Sequence, residues 1–157
     1  MPWLYCPVIK IRPSTPQDAP RAIAIWRRAV DATHDFLTPE DRQAIDRDVV
    51  SFLPSAPLWV AVDDQDRALA FMLLNDGHME ALFVDPDHRG SGLGRALVRH
   101  ALERFPGLTT DVNEQNAQAM GFYERLGFTP TGRSPRDGQG RPYPLIHLRH
   151  PPPTPAG

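Results

Sequence analysis

The sequence predicts a mixed fold, α/β in the broad sense and α+β in detail. It calls for a mostly antiparallel central sheet of six to seven strands, about four helices, and one βαβ unit that carries a glycine-rich loop. Three observations predict it. Three apolar runs joined by short polar turns, 58–62, 68–74 and 78–84, read as an antiparallel meander. The third run stops at a glycine-rich turn that leads into a helical pattern. A strand after that helix completes one parallel crossover. A dinucleotide-binding fold would alternate strand and helix from the start, whereas here a strand and two helices precede the meander.

Length and charge bound the possibilities. The chain has 157 residues, a prior for one domain. We place that domain at 1–150 and a disordered or extended proline-rich tail at 151–157. The net charge is −2, and basic residues are scattered rather than clustered. That argues against nucleic acid as a partner, because phosphate-backbone affinity needs a concentrated basic face. Cys6 is the single cysteine, so no internal disulfide forms and a reducing compartment is expected. No apolar run approaches membrane-spanning length, and residues 1–7 lack the pattern of a signal peptide. The expectation is a cytoplasmic protein, monomer or homodimer, with no membrane partner.

The elements follow in order. Val8-Ile9-Lys10-Ile11-Arg12 is a short strand that ends at Pro13. Thr15 and Pro16 start a helix over about 16–32, with Ala22, Ile23, Trp26, Ala29 and Val30 as its apolar stripe. Thr38 and Pro39 repeat the start signal, and Ile45, Val49, Phe52 and Leu53 mark the next helix face. Together these helices form a flap over one end of the sheet. The meander follows. After the glycine loop, Leu93, Leu97, Val98, Ala101, Leu102 and Phe105 make a helix face that Pro106-Gly107 ends. Residues 108–112 form a strand, Asn116 caps a helix that Gly127 stops, and strands begin at Phe128 and Tyr143.

The chemistry concentrates in the loop, Val84-Asp85-Pro86-Asp87-His88-Arg89-Gly90-Ser91-Gly92-Leu93-Gly94-Arg95. A strand running through glycines into a helix leaves backbone N–H groups without partners, at the positive end of a helix dipole. Glycine removes the Cβ atoms that would hold an anion away. The result is an anion cradle, most often for phosphate, and Arg89 adds a fixed charge. A Walker loop is absent. A Rossmann turn counted from Gly90 needs a third glycine where Arg95 stands.

The spacing R-x-x-G-x-G at Arg89, Gly92 and Gly94 resembles the pyrophosphate loop of the GCN5-related N-acetyltransferase (GNAT) family. Asn116-Ala117-Gln118-Ala119-Met120-Gly121-Phe122-Tyr123-Glu124-Arg125-Leu126-Gly127-Phe128 is similar to that family's N-x-x-A-x-x-F-Y-x-x-x-G-F pattern. The two motifs stand in family order and at family separation. The stretches 30–37, 56–62 and 142–145 narrow the resemblance to a bacterial subgroup associated with lysine acetylation of proteins.

The resemblance implies an acetyl-CoA-dependent N-acetyltransferase with the GNAT fold and no metal. It implies a coenzyme site at Leu82, Phe83, Val84, Arg89, Gly90, Ser91, Gly92, Leu93, Gly94, Asn113, Asn116 and Tyr123. The Phe83 N–H would point at the acetyl carbonyl, and the Tyr123 hydroxyl would face the coenzyme sulfur as the acid. Thr33, His34, Phe36 and Tyr143 fall in the variable loops that shape acceptor sites in the family.

An amine must lose a proton before it attacks. Three side chains are candidates for that base: Glu80 and His78, which share one strand face by period two, and Asp111 on the following strand. Water without a dedicated base is a further alternative. The acceptor is an amine: a protein lysine, an N-terminus or a small molecule. A coenzyme-binding sensor without transfer activity is the competing reading. A nucleotide-binding oxidoreductase is disfavoured by Arg95 and by strand order.

Overall fold

The computed structural model describes residues 9–151. Val8, Cys6 and the tail 152–157 lie outside the described residues. Seven strands make one sheet: β1 (Lys10–Pro13), β2 (Leu58–Val62), β3 (Ala68–Asn75), β4 (His78–Val84), β5 (Thr109–Asn113), β6 (Thr129–Ser134) and β7 (Leu145–Arg149). Four helices accompany them: α1 (Ala19–Thr33), α2 (Pro39–Phe52), α3 (Leu93–Arg104) and α4 (Ala117–Arg125). The strand order is β1-β2-β3-β4-β5-β7-β6. Only β4 and β5 run parallel; the other neighbours are antiparallel. This is the mixed sheet with one βαβ crossover that the sequence predicts. None of the described helices is long and apolar enough to cross a membrane.

Helix α1 is a layer on the sheet rather than a flap over its end. Its Ala22, Ile25, Trp26 and Val30 pack with Val60, Val62 and Phe71 on one face. The stripe centres on Ile25, which is fully buried, while Ile23 is half-buried. Spacings of three and four from Ala22 admit either residue, and packing on β2 and β3 selects Ile25. Helix α2 buries no residue completely. Ile45 and Val49 touch the same core, but Phe52, expected on the apolar face, is 52% exposed. The other face holds α3 and α4, where Leu97, Val98 and Ala101 meet Met72, Met79, Leu108 and Leu148.

Element ends differ from expectation for identifiable reasons. The stretch Pro16–Asp18 is a 3-10 turn. There the Asp18 carboxylate folds back to accept from the Thr15 N–H at 2.8 Å and from the Arg12 guanidinium at 2.8 and 3.0 Å. The last strand starts at Leu145, because Pro144 has no N–H to give the ladder; its carbonyl instead accepts from the Glu114 N–H.

Two features of β4 position everything that follows. Its pairing with β5 covers only His78↔Thr109 and Met79↔Thr110, after which the strands part. At its end, Asp85 is 1% exposed. It accepts from Arg21 and, at 2.7 Å, from Arg28, both on α1, and from the Asp87 N–H at 3.0 Å. Burial works against its charge, but these donors outweigh burial and hold its carboxyl below the ordinary value.

Asp85→Ala should therefore leave Arg21 without a carboxylate and Arg28 with Asp87 alone, and cost about 3 kcal/mol, as the loss of one partner from a buried ion pair does. Urea unfolding measures it. Because the folded pKa is depressed, this stability is complete above the unfolded value of about 3.9 and disappears as pH falls below it. The Asp85→Asn protein should lack that part of the acid dependence.

Candidate active site

The parting of β4 and β5 opens a cleft of about 500 Å³. Leu82, Phe83 and Val84 form one wall. From Glu80 onward, β4 has no strand partner on its β5 side, so its polar backbone groups there are open to a ligand. The floor is the loop. Asp85 caps the 3-10 turn Pro86–His88, and the chain then passes through Gly90 and Gly92 at φ +77° and +86°. Gly92 is the N-cap of α3 and brings no capping side chain, so the first-turn N–H groups point free. A Cβ on Gly94 would sit 3.2 Å from the Phe122 ring and 3.6 Å from Val84. Glycine there lets α3, α4 and β4 close on one another.

Of the residues singled out from sequence, the cleft gathers Leu82, Phe83, Val84, Arg89, Gly90, Gly92, Leu93, Gly94, Asn116, Tyr123, Thr33 and His34. Asn116 caps α4 by accepting from the Ala119 N–H at 3.1 Å, which leaves its NH₂ group for a ligand. Tyr123 is 7% exposed and packs edge-on to Phe122 and Phe128, with centroids at 5.0 and 5.3 Å. Burial pushes its hydroxyl pKa upward, with the Thr110 hydroxyl opposing, so it keeps its proton at neutral pH.

Other candidates stand elsewhere. The Ser91 hydroxyl turns back to donate to the His88 carbonyl. Asn113 accepts from the Gln115 N–H at 2.9 Å. Neither lines the cleft. Phe36 stands between His34 and Tyr143, with ring centroids at 5.3 and 6.0 Å. Tyr143 is buried, and its hydroxyl is committed to the Asp41 carboxylate and the Thr38 N–H. It ties the segment before α2 to the segment before β7.

The three base candidates separate. A bulge lets Leu73 oppose Ala81 and Leu74 oppose Met79, so Glu80 faces no residue of β3. The plain alternation that groups His78 with Glu80 is broken at that point. Glu80 lines a second, apolar groove with Trp26, Phe52 and Leu74. His78 turns to β5, with Nδ1 2.7 Å from the Thr109 hydroxyl and Nε2 3.4 Å from the Asp111 carboxylate. Asp111 also meets His147 Nδ1 at 2.6 Å, and His147 Nε2 lies 2.6 Å from Ser134 Oγ. This polar row crosses four strands, and sequence spacing did not disclose it.

Sequence reasoning also missed Arg95 and Arg125, which line the cleft beside Arg89. None of the three makes an ion pair with a described residue. The signal for Arg125 was available: Gln118, Phe122 and Arg125 follow one helix face and all line the cleft. Three unpaired guanidiniums beside a free helix N-terminus fit a polyphosphate.

Comparison with known proteins agrees with the geometry. The acetyltransferase (GNAT) domain family matches residues 54–130. The peptidyl-lysine N-acetyltransferase YjaB of Salmonella typhimurium is 58% identical over 144 residues, which cover 92% of this chain and 99% of that protein. This chain belongs to the GNAT acetyltransferase family. YjaB of Escherichia coli is 57% identical over 91% of this chain and 97% of its own length. The solution structure of its apo form superposes with a TM-score of 0.89 at 55% identity, covering 93% of this chain and 99% of that one. A Thermoplasma acidophilum PaiA N-acetyltransferase solved with coenzyme A shares the fold, with a TM-score of 0.72 at 16% identity over 91% of this chain and 99% of that one. The protein is therefore an acetyltransferase with the GNAT fold, and the sensor reading gives way to an enzyme.

A branched side chain at position 92 is strained by the positive φ there. Gly92→Val should weaken coenzyme A binding at least about tenfold, or about 1.4 kcal/mol. Calorimetric titration checks it, and unchanged affinity removes the loop from the binding site.

Proposed function

We propose that this acetyltransferase moves the acetyl group of acetyl-CoA to lysine side chains of proteins. The observation that carries the donor half is the cleft: an unpaired strand edge leads straight into an uncapped helix N-terminus ringed by Arg89, Arg95 and Arg125. Support for the lysine half comes from the YjaB relatives, which match nearly from end to end and are named for peptidyl-lysine.

Each residue then has a physical task. The first-turn N–H groups of α3 and the three arginines hold phosphate oxygens. The open edge of Leu82, Phe83 and Val84 takes the amide-bearing arm of the coenzyme as an added strand would be taken. The Asn116 NH₂ group donates to the same ligand. The bond from the Asp85 N–H to the Leu69 carbonyl and the register Phe71↔Phe83 turn the Phe83 N–H toward β3 rather than the cleft, so the Leu82 and Val84 N–H groups, which face away from β3, are the donors for the developing oxyanion. Tyr123 keeps its proton at neutral pH and hands it to the leaving sulfur. Acetyl-CoA supplies the activated acyl group as a thioester. Thr33 and His34 bound the cleft on the α1 side, where the acceptor would enter.

The test is a transfer assay with acetyl-CoA and three acceptors: a lysine peptide with a blocked N-terminus, a lysine-free peptide with an open one, and free lysine. Thiol release with acetyl-lysine found by mass spectrometry is the expected result. Modification of the N-terminus or free lysine alone would replace the protein-lysine reading. Tyr123→Phe should lower kcat by about 10²-fold, the usual contribution of a positioned acid, with coenzyme affinity unchanged. An unaltered kcat would remove Tyr123 from the chemistry.

A further inference from the structure

The ionisable groups that line the cleft are unevenly chosen. They are His34, His88, Arg89, Arg95 and Arg125, with Tyr123 as the remaining titratable side chain; no carboxylate of the described residues lines it. Glu80 belongs to the separate groove. Asp111 and His78 are engaged with each other and with Thr109 and His147 outside the cleft. His88 sits in the turn of the phosphate loop, directly before Arg89. His34 stands at the C-terminal end of α1, on the acceptor side.

The hydrogen bonds around His34 fix its tautomer. The Thr33 hydroxyl donates its one hydrogen to the Ala29 carbonyl at 2.8 Å. Its oxygen lies 2.7 Å from His34 Nδ1 and can only accept there, so Nδ1 carries the hydrogen. Nε2 is left with a lone pair and no partner among the described residues. The Phe36 ring packs on the imidazole at 5.3 Å, and Tyr143 holds Phe36 from behind. The ring is thus held in orientation by one hydrogen bond and one aromatic contact.

We propose that His34 is the base that takes the proton from the acceptor ammonium, a role that rests on the acetyl transfer proposed above. The ammonium N–H gives its proton to Nε2, and the imidazole becomes imidazolium. The freed lone pair forms the C–N bond to the acetyl carbon. As the bond forms, the carbonyl electron pair moves to oxygen; when the carbonyl re-forms, the C–S bond breaks, its electron pair leaves on sulfur, and sulfur takes the Tyr123 proton. The acylated nitrogen gives its second proton, through water, to the Tyr123 phenolate, which restores the hydroxyl and leaves a neutral amide. The imidazolium then returns its proton to water.

Burial lowers the His34 pKa, opposed by the Asp35 charge beside it. The neutral Thr33 hydroxyl and the Phe36 ring lie against it, and His88, Arg89 and Tyr123 line the same cleft. Burial outweighs the Asp35 charge and disfavours imidazolium, so the ring is neutral and able to accept at pH 7.

The test is the pH profile of kcat/KM for wild type and His34→Gln with a lysine peptide. The wild-type rate should fall on acidification below the ordinary histidine value of about 6.5. His34→Gln should lose about 100-fold in kcat/KM near pH 7, within the range of a general base. It should also lose the histidine limb of the profile while binding coenzyme A normally. Retention of that limb at wild-type rate overturns the proposal. A second readout needs no turnover: the ¹⁵N spectrum of coenzyme-bound wild type should show His34 protonated at Nδ1 and bare at Nε2. The opposite tautomer overturns the role even in an active enzyme. If lysine peptides are not acetylated at all, the acceptor reading fails by itself, and the spectrum still decides His34.

Discussion

One interruption of the sheet organises the molecule. The parallel pair β4–β5 holds for two registers, His78↔Thr109 and Met79↔Thr110, and then stops. Had it continued, Glu80 to Val84 would have spent their backbone groups on β5 and left nothing to recognise a ligand. What keeps the strands apart is packing. Helix α4 stands at the gap with Phe122 against Gly94 of α3. Tyr123 fills the space beside Thr110, the last paired residue. The bulge at Glu80 falls at the same point on the other edge of β4, so the strand changes its twist where it loses one neighbour.

The loop inherits its position from that strand through Asp85. This carboxylate is buried at the junction and tied to Arg21 and Arg28 of α1. The ion network joins the phosphate cradle on one side of the cleft to the helix whose far end carries Thr33 and His34. A buried charge with several donors is directional where apolar contact is not. The network therefore fixes how the glycine loop is placed against α1.

Legibility followed the range of the interactions. The glycine loop, the α3 face and the placement of Asn116 and Tyr123 on one helix were readable, because each lies within one turn or one helix face. The order of strands was readable from punctuation: short polar turns mark hairpins, and a helix marks the crossover. Ile25 was not, since the stripe from Ala22 fits Ile23 as well and only the sheet decides. Phe52 has the pattern of a core residue and is exposed, because α2 lies at the margin of its layer. Arg95 entered only as a missing glycine, although its side chain lines the cleft. The row from His78 through Asp111 and His147 to Ser134 joins residues up to 69 positions apart on four strands; no local spacing could announce it. Asp85 shows the limit best. Its place in the loop is plain in the sequence, while its partners lie 64 and 57 residues away.

The choice of base follows from the choice of donor. A cleft that holds a polyphosphate needs its arginines unpaired, and a carboxylate among them would form ion pairs with them and repel the ligand. Glutamate chemistry is thus at odds with this cleft unless the carboxylate stands well outside it, as Glu80 does. A neutral imidazole carries no such conflict: it adds no negative charge before the reaction, and it accepts a proton only when the amine arrives. Once it is protonated, its new charge in the same cleft favours the departure of a thiolate. His34 combines a fixed tautomer with partial burial, so its low proton affinity at rest and its usefulness in the reaction have one cause.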